Sequence, residues 1–196
     1  MTLSEGVFVA AFAISVWIRA KGERLGAEMR ELARPHQGVD TALIVGMAIG
    51  AVFLPATHLT TGSLAFADYR LPGSAAVLGT LAATVGLWLL NRAHRDLGAN
   101  WSRMIALKNG HVLVVGGVYA RMRHPMYLAI GLICLAQGLL VHNVVAGWSG
   151  LSAFALMYTY RVPREERLLR ARFGSEYLEY CRTTPRHWPR WRAARR

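Results

Sequence analysis

The sequence has little charge and little cysteine for its length. Charged residues make up 17% of its 196 residues, against about 25% in a typical soluble domain, and hydrophobic residues make up 54%. This apolar content excludes an intrinsically disordered chain. Cys134 and Cys181 are the only cysteines, so a disulfide scaffold is excluded too, and the two thiols do not indicate a redox compartment.

Acidic residues are the scarcest charged group. The chain has 11 Asp and Glu residues against 23 Lys and Arg residues, which gives a formal net charge of +12. Two classes of protein combine this basic balance with so apolar a composition. One is a basic nucleic-acid-binding protein, and the other is a membrane protein whose positive charge lies on one side of the bilayer.

Long apolar segments are what the sequence has in abundance. Crossing the hydrocarbon core takes about 20 mostly apolar residues. Five segments meet or approach this length: 3–18, 39–59, 72–90, 127–141 and 144–160. Only His142 and Asn143 separate the last two segments, which predicts a tight helical hairpin of two short spans.

The positions of the basic residues decide between the two classes. Every Lys and Arg except Arg70 falls in the stretches 19–34, 92–123 and 161–196. Five spans would place these stretches on one face, which the positive-inside rule makes cytoplasmic, with the N-terminus outside. A nucleic-acid-binding protein gives no reason for this alternation, so we expect no nucleic-acid partner. The basic tail with Trp188 and Trp191 is typical of an interfacial lipid anchor.

The loop before the fourth span has the composition of a ligand cradle. A short β-like apolar run at 112–115 precedes Gly116 and Gly117, which permit a close approach of backbone to a ligand. Pro125 disfavours helix at the residue before it. Arg123 and His124 are therefore predicted to lie in an extended turn at the start of the fourth span.

A second group of polar residues follows the fifth span. Arg161 and Glu165 lie on one helical face, four residues apart. Taken alone, this pair is typical of an ordinary interfacial ion pair. The sequence has no metal-ligand spacing, no phosphate-binding loop of the Walker type and no dinucleotide fingerprint, so we expect no metal.

These two regions resemble the isoprenylcysteine carboxyl methyltransferase family, which groups with phospholipid methyltransferases of the same membrane fold. The first match is LGANWS…GHVLVVGGVYARMRHPMY within 97–127, and the second is the Glu165-Glu166 pair followed by LLRARFGSEYLEY. The spacing between the two accommodates one helical hairpin, as the family requires. The resemblance covers about residues 90–190, roughly half of the chain.

The resemblance implies that S-adenosylmethionine is the cofactor and that a set of residues binds it. These residues are His111, Val112, Leu113, Val114, Tyr119, Arg123, His124, Pro125, Met126, Tyr127 and Glu165. The run 111–114 would line the adenine pocket, 123–127 would hold the methionine part, and Glu165 would accept hydrogen bonds from both ribose hydroxyls. Arg161 matches the family's arginine at the substrate and is the predicted catalytic residue.

The resemblance also implies the architecture. We expect an all-α integral membrane protein with about five transmembrane helices, in which one domain covers residues 1–196. Three helices lie in 1–91. The cofactor-binding half, 92–196, combines the loop before helix 4, a helical hairpin at 126–161 and an amphipathic C-terminal tail. We place the protein in a membrane of the bacterial inner-membrane type, with a cytoplasmic active site, and infer no obligate protein partner.

Several functions remain open on sequence alone. The leading one is methyl transfer to a lipophilic acceptor from the bilayer, and the acceptor could be a prenylcysteine carboxylate, a phospholipid amine or a small thiol. A membrane reductase of the sterol-reductase type, with a nicotinamide cofactor, is a weaker alternative. A non-catalytic membrane scaffold or small-molecule carrier is the third, and in it the charge clusters would serve only to set topology.

Overall fold

The computed structural model describes residues 1–26, 31–33, 37–100, 107–108 and 112–187. The helices are α1 (Leu3–Gly26), α2 (Gln37–Ala48), α3 (Leu54–Thr61), α4 (Gly73–Leu97), α5 (Pro125–Leu140) and α6 (Val144–Thr183). A π-helical turn, Ile49–Phe53, joins α2 to α3, and 3-10 turns occupy Ala65–Ala67, Gly98–Asn100 and Gly117–Ala120. Strands β1 (Glu31–Ala33) and β2 (Leu107–Lys108) form a small antiparallel pair.

The predicted helical membrane architecture is confirmed. Leu3–Glu23, Gly38–Thr61 and Gly73–Leu97 are each long and apolar enough to cross a membrane, and α5 is a shorter apolar helix. Helix α5 packs against α4 on one side and α6 on the other. The chain is an integral membrane protein, and outward-facing apolar side chains such as Phe53 in the π-helical turn and Trp88 in α4 suit contact with lipid.

The fifth predicted segment differs from the expectation in its length. Instead of ending near residue 160, α6 continues for 40 residues to Thr183. Gly174 interrupts it with φ 51° and ψ −121°, a conformation that glycine adopts without steric cost. The bend turns the last two turns of α6 back toward the body of the protein, where Tyr177 and Tyr180 are buried.

The predicted hairpin between α5 and α6 is observed, with a short break between the helices. Asn143 caps α6, since its Oδ1 accepts a hydrogen bond from the backbone N–H of Ala146 at 2.7 Å. Its Nδ2 donates to the carbonyl oxygen of Leu64 and to Asp68 Oδ1, each at 2.7 Å. The loop after α3 is thereby fastened to the turn of the hairpin.

The π-helical turn attaches the second span to the hairpin. The carbonyl oxygen of Gly50 accepts hydrogen bonds from Gln137 Nε2 at 2.9 Å and from Ser149 Oγ at 2.7 Å. A Cβ on Gly50 would lie 2.6 Å from the carbonyl oxygen of Ser149, so only glycine permits this approach. The second span is therefore held close against α6, which fixes the position of residues at the start of α2.

Candidate functional site

Most of the residues implied by the resemblance lie at one end of the helix bundle. This end, which we call the basic end, carries the last turns of α4, the turn before α5, the start of α2 and the second half of α6. It is the end at which the three basic stretches of the sequence leave the spans.

The turn before α5 has the extended conformation that Pro125 predicts. His124 has φ −124° and ψ 54°, and Pro125 begins the helix. The backbone N–H groups of Arg123 and His124 donate to the carbonyl oxygens of Pro185 and Arg186, at 2.9 and 3.1 Å. The chain after α6 is therefore paired with this turn.

Glu166 is the central charged residue of the basic end. It is 4% exposed, and its Oε1 accepts hydrogen bonds from Arg123 Nη2 at 3.1 Å, His124 Nε2 at 3.2 Å and Arg186 Nε at 3.0 Å. Arg186 Nη2 also donates to Oε2 at 2.6 Å. Burial acts to raise the pKa of this carboxyl, but the hydrogen bonds and charges of His124 and Arg186 outweigh burial and hold the pKa well below its usual range.

The lowered pKa of Glu166 makes part of the stability depend on pH. The charged form stabilises the fold fully above the ordinary carboxyl pKa of about 4.3, and this contribution is lost as pH falls toward the lowered value. We expect the melting temperature in detergent to fall between about pH 5 and about pH 3, and Glu166→Gln to flatten that dependence. The exposed Glu176→Gln serves as control and should keep the wild-type profile.

Glu165 lies beside this cluster but has a different environment. Its Oε2 accepts a hydrogen bond from Tyr127 Oη at 2.8 Å, and the residue is only partly buried. Tyr127 in turn packs edge-on against Tyr158, with ring centroids 5.8 Å apart. The carboxylate is thus oriented by one phenol and keeps acceptor capacity for a ligand.

Arg161 lies one turn before Glu165, at the seam between α2 and α6. It is 8% exposed, and its Nε lies 3.9 Å from Oδ1 of Asp40, in the first turn of α2. Arg161, Asp40 and Glu165 all lie near enough to act electrostatically on the phenol of Tyr127. The sequence analysis assigned no role to Asp40, and this pairing was not predicted.

Gly117 gives the loop before α5 its shape. It has φ +60°, and a Cβ there would collide with the carboxylate of Asp96. That carboxylate accepts a hydrogen bond from the backbone N–H of Val118 at 2.8 Å. Tyr119 follows and is buried, and its carbonyl oxygen accepts a hydrogen bond from Tyr180 Oη at 2.6 Å. Burial, together with the charge of Glu165, raises the pKa of the Tyr119 phenol, which therefore stays protonated.

We expect Gly117→Ala to destabilise this loop through both its positive φ and the collision with Asp96. The cost should be at least about 1–2 kcal/mol, seen as a lower melting temperature in detergent. Gly116→Ala is the matched control, because a Cβ on Gly116 has no atom within 4 Å. Equal melting temperatures for the two variants would contradict the proposed role of Gly117.

The segment predicted to line an adenine pocket differs from the expectation. Residues 112–115 have no regular secondary structure, so the prediction of a β-like run there is wrong. In the described part of the loop, no strand lies beside these residues to pair with them. The backbone N–H of Val112 instead donates a hydrogen bond to Asn100 Oδ1 at 3.1 Å. Val112 is exposed, Leu113 and Val114 are half-buried, and His111 lies outside the described residues.

The remaining predicted residues take the following places. Pro125 is buried at the start of α5, and Met126 packs on a cluster that includes Ile18 and Leu90.

Glu166, by contrast, was assigned no separate role by the sequence analysis. The sequence did contain a signal for a role of Glu166. The residue directly follows Glu165, the predicted ribose ligand, and a cation-rich loop lies within its reach. Among the residues that the structure describes, no three His, Cys, Asp or Glu side chains form a metal-binding group.

A cavity of about 290 Å³ lies beside Tyr180, at the C-terminal end of α6. Its lining residues are Val115, Ala120, Arg121, Tyr180, Thr183, Thr184 and Pro185. The cavity is therefore continuous with the end of the 112–115 segment and with the bend of the chain after α6. None of the charged pairs described above lines it.

Comparison with known proteins identifies the same region. The profile of the isoprenylcysteine carboxyl methyltransferase (ICMT) family matches residues 77–171. The cobalt-zinc-cadmium resistance protein CzcN of Cupriavidus metallidurans is 33% identical over 134 residues, which cover 65% of this chain and 57% of that protein. The human protein-S-isoprenylcysteine O-methyltransferase is 30% identical over 115 residues, covering 58% of this chain and 40% of that one.

A solved structure shares the fold. The eukaryotic intramembrane Ras methyltransferase ICMT superposes with a TM-score of 0.50 at 22% sequence identity, over 79% of this chain and 53% of that chain. The present chain thus spans about half the length of the relatives it matches. The profile and the relatives show that this chain is similar to the isoprenylcysteine carboxyl methyltransferase family over residues 77–171, and the solved structure shows a shared fold.

Proposed function

We propose that the protein is an integral-membrane methyltransferase that uses S-adenosylmethionine to methylate a lipophilic acceptor, with an isoprenylcysteine-type carboxylate as the leading acceptor. The observation that carries the proposal is the partly buried Glu165 carboxylate, which Tyr127 orients at 2.8 Å beside Arg161. The names of the relatives, protein-S-isoprenylcysteine O-methyltransferases from several eukaryotes, support the same activity.

The residues present fit the cofactor. Of the hydrogen bonds in the described part of the chain, Glu165 accepts one, from Tyr127, so its carboxylate can also accept from the two hydroxyls of a ribose. Arg123 and His124 are engaged with Glu166. Direct contacts of these two with the methionine part therefore remain a prediction, and in the fold both residues bind the adjoining Glu166.

When bound, S-adenosylmethionine supplies an electrophilic methyl group on a sulfonium. The protein's own task is to hold an acceptor in line with that methyl group, because alignment provides most of the acceleration for an already anionic nucleophile. Arg161 binds and orients the carboxylate of the acceptor. A carboxylate acceptor needs no general base. This agrees with a site that consists of Arg161 and the hydrogen-bonded carboxylates of Glu165 and Glu166.

The proposed orientation follows from charge. The basic end faces the cytoplasm under the positive-inside rule, which places the N-terminus of the chain outside. Soluble cofactor then enters at the basic end. The prenyl tail of the acceptor reaches Arg161 from the bilayer along the second span, where Val45 of α2 and Ile49 of the π-helical turn are exposed.

A radiolabel-transfer assay tests the proposed function. The purified protein in lipid is incubated with S-adenosylmethionine labelled at the methyl group and, in parallel, with a farnesylcysteine analogue, phosphatidylethanolamine or a simple thiol. We expect label in the farnesylcysteine analogue as a base-labile methyl ester. Label only in the amine or only in the thiol would show that the acceptor belongs to that class and is not a carboxylate. No transfer to any of the three would contradict the proposed activity.

Arg161→Ala is expected to separate turnover from cofactor binding. Removal of the guanidinium should lower kcat/KM for the carboxylate acceptor by at least about 100-fold, through loss of a charge-assisted contact and of alignment. Binding of S-adenosylhomocysteine, measured by calorimetry, should change little. The exposed Arg167→Ala is a matched control on the same helix. Loss of cofactor binding in Arg161→Ala would contradict the acceptor role.

A further inference from the structure

The chain after α6 forms a short strap, residues 184–187, against the turn before α5. Backbone hydrogen bonds join its middle to that turn, and Arg186 joins it to Glu166. Its last residue, His187, reaches back to α6, where Nε2 of the imidazole forms a hydrogen bond with Oη of Tyr158. We call these four residues the C-terminal strap. The proposed methyl transfer assigns no role to the contact of the strap with Tyr158.

His187 belongs to a cluster of four rings that ends at the candidate ribose ligand. The centroid of its imidazole lies 5.3 Å from that of the Tyr158 ring and 6.2 Å from that of the His124 ring. Tyr127 completes the cluster, with its centroid 5.8 Å from Tyr158 and 5.7 Å from His124. The phenol of Tyr127 donates the hydrogen bond that orients Glu165. Because closely packed side chains transmit displacements, departure of His187 would loosen both tyrosines behind Glu165.

The surroundings of His187 favour an uncharged imidazole. The residue is half-buried, and its Nδ1 atom is shielded from solvent with no hydrogen-bond partner among the described residues. Burial and the nearby positive charges lower the pKa of His187, against the opposing charge of one carboxylate. The titratable and charged groups that face the imidazole are Tyr158 and Glu166 on α6, Arg123 and His124 in the turn before α5, and Arg186 in the strap.

A neutral His187 makes attachment of the strap depend on pH. Because the pKa of His187 is lowered in the attached strap, a released strap takes up a proton more readily. Attachment is therefore fully favoured above the ordinary histidine pKa of about 6.5 and weakens as pH falls below it. This range lies above the range in which Glu166 becomes protonated, so the two effects are separable.

We propose that His187 is a positioning residue for cofactor binding: while its imidazole is neutral, the strap holds Tyr158 and Tyr127 behind Glu165, and uptake of a proton by the imidazole releases the strap. This inference rests on the proposed function, because it gives that same site a pH-dependent affinity for the cofactor. His187 acts through Tyr158 and takes no part in the methyl transfer itself. The protein then binds its cofactor tightly at neutral pH and releases it more readily in a mildly acidic medium.

Calorimetric titration with S-adenosylhomocysteine tests the proposal. The detergent-solubilised full chain is titrated at several pH values from about 7.5 to about 5.5, across the range in which an ordinary histidine takes up a proton. We expect Kd of the wild type to rise by roughly 5-fold or more toward the acidic end, which is the effect of losing a single hydrogen bond.

Two variants of His187 show whether its charge is the cause. His187→Gln keeps a polar group within reach of Tyr158 and is uncharged at every pH, so its Kd should stay near the neutral wild-type value throughout. His187→Lys is charged throughout and should bind weakly over the whole range. His142→Gln makes the same substitution in the turn between α5 and α6, at the opposite end of α5, and as the matched control should keep the wild-type pH dependence.

Hydrogen exchange at the turn before α5 follows the strap without any cofactor. The amides of Arg123 and His124 donate to carbonyl oxygens of the strap, so its release should speed their exchange. At about pH 5.5 these amides should exchange faster in the wild type than in His187→Gln, and at about pH 7.5 the two proteins should agree. Comparison at equal pH removes the intrinsic pH dependence of amide exchange.

The two measurements separate the strap from the proposed function. A wild-type Kd that does not change with pH, or an undiminished rise of Kd in His187→Gln, would overturn the proposal. Equal exchange in the wild type and His187→Gln at acidic pH would overturn it as well. If none of the proteins binds S-adenosylhomocysteine at any pH, the proposed function fails, and faster exchange in the acidic wild type still supports release of the strap by His187.

Discussion

Replacement of Glu165 by alanine is expected to abolish measurable binding of S-adenosylhomocysteine. The proposed contact consists of two charge-assisted hydrogen bonds to a ribose, and each such bond contributes roughly 1.5–3 kcal/mol, so Kd should rise by at least about 100-fold. Calorimetric titration in detergent measures this directly. The fold should persist, because Glu165 is only partly buried and, among the residues that the structure describes, accepts a hydrogen bond from Tyr127 alone.

Two further variants separate the charge of Glu165 from general effects on α6. Glu165→Gln keeps the shape and one acceptor oxygen, so it should retain weak binding. Glu176→Ala removes an exposed carboxylate from the same helix and should bind like the wild type. If Glu165→Ala still binds S-adenosylhomocysteine at the wild-type level, the ribose assignment is wrong, and the non-catalytic scaffold becomes the better account of the charge clusters.

Glu166→Ala should be the most destabilising single substitution at the basic end. It would leave Arg123, His124 and Arg186 without their shared carboxylate, and removal of one partner from a buried ion pair costs about 3–5 kcal/mol. The melting temperature in detergent should fall by about 10 °C. The chain after α6 should also become accessible to protease, because Arg186 ties it to Glu166 at 2.6 Å.

Glu179→Ala is the matched control for the stability measurement. Its carboxylate pairs with Arg182 at 3.2 Å, but both side chains are mostly exposed. Exposed pairs of this kind contribute about 0–1 kcal/mol, so this variant should melt close to the wild type. If Glu166→Ala melted as Glu179→Ala does, the cluster would not be a structural centre of the basic end.

The helices were predictable because membrane spans have a strong local signal. Apolar length identified the segments that became α1, α2–α3, α4 and α5, and Pro125 identified the extended turn before α5. The end of the fifth segment was not predictable in this way. Beyond Tyr160 the helix leaves the apolar environment and continues as an amphipathic helix, so apolar length no longer marks its end.

The pairing of charges within the site was beyond the reach of the sequence pattern. Asp40 and Arg161 lie 121 positions apart, and their contact depends on the close approach of the second span to α6 at Gly50. Glu165 and Glu166 are adjacent in sequence, yet the helix directs one toward Tyr127 and the other toward Arg186. A motif identifies such residues without distinguishing the ligand-binding carboxylate from the structural one, and the three-dimensional packing supplies that distinction.

Direct titration of the wild-type protein with S-adenosylhomocysteine and with NADPH tests the central claim, that the basic end binds a methyl-donor cofactor. The account predicts saturable binding of S-adenosylhomocysteine at the micromolar level and no binding of NADPH under the same conditions. Binding of NADPH with none of S-adenosylhomocysteine would contradict the claim and favour a nicotinamide-dependent membrane reductase.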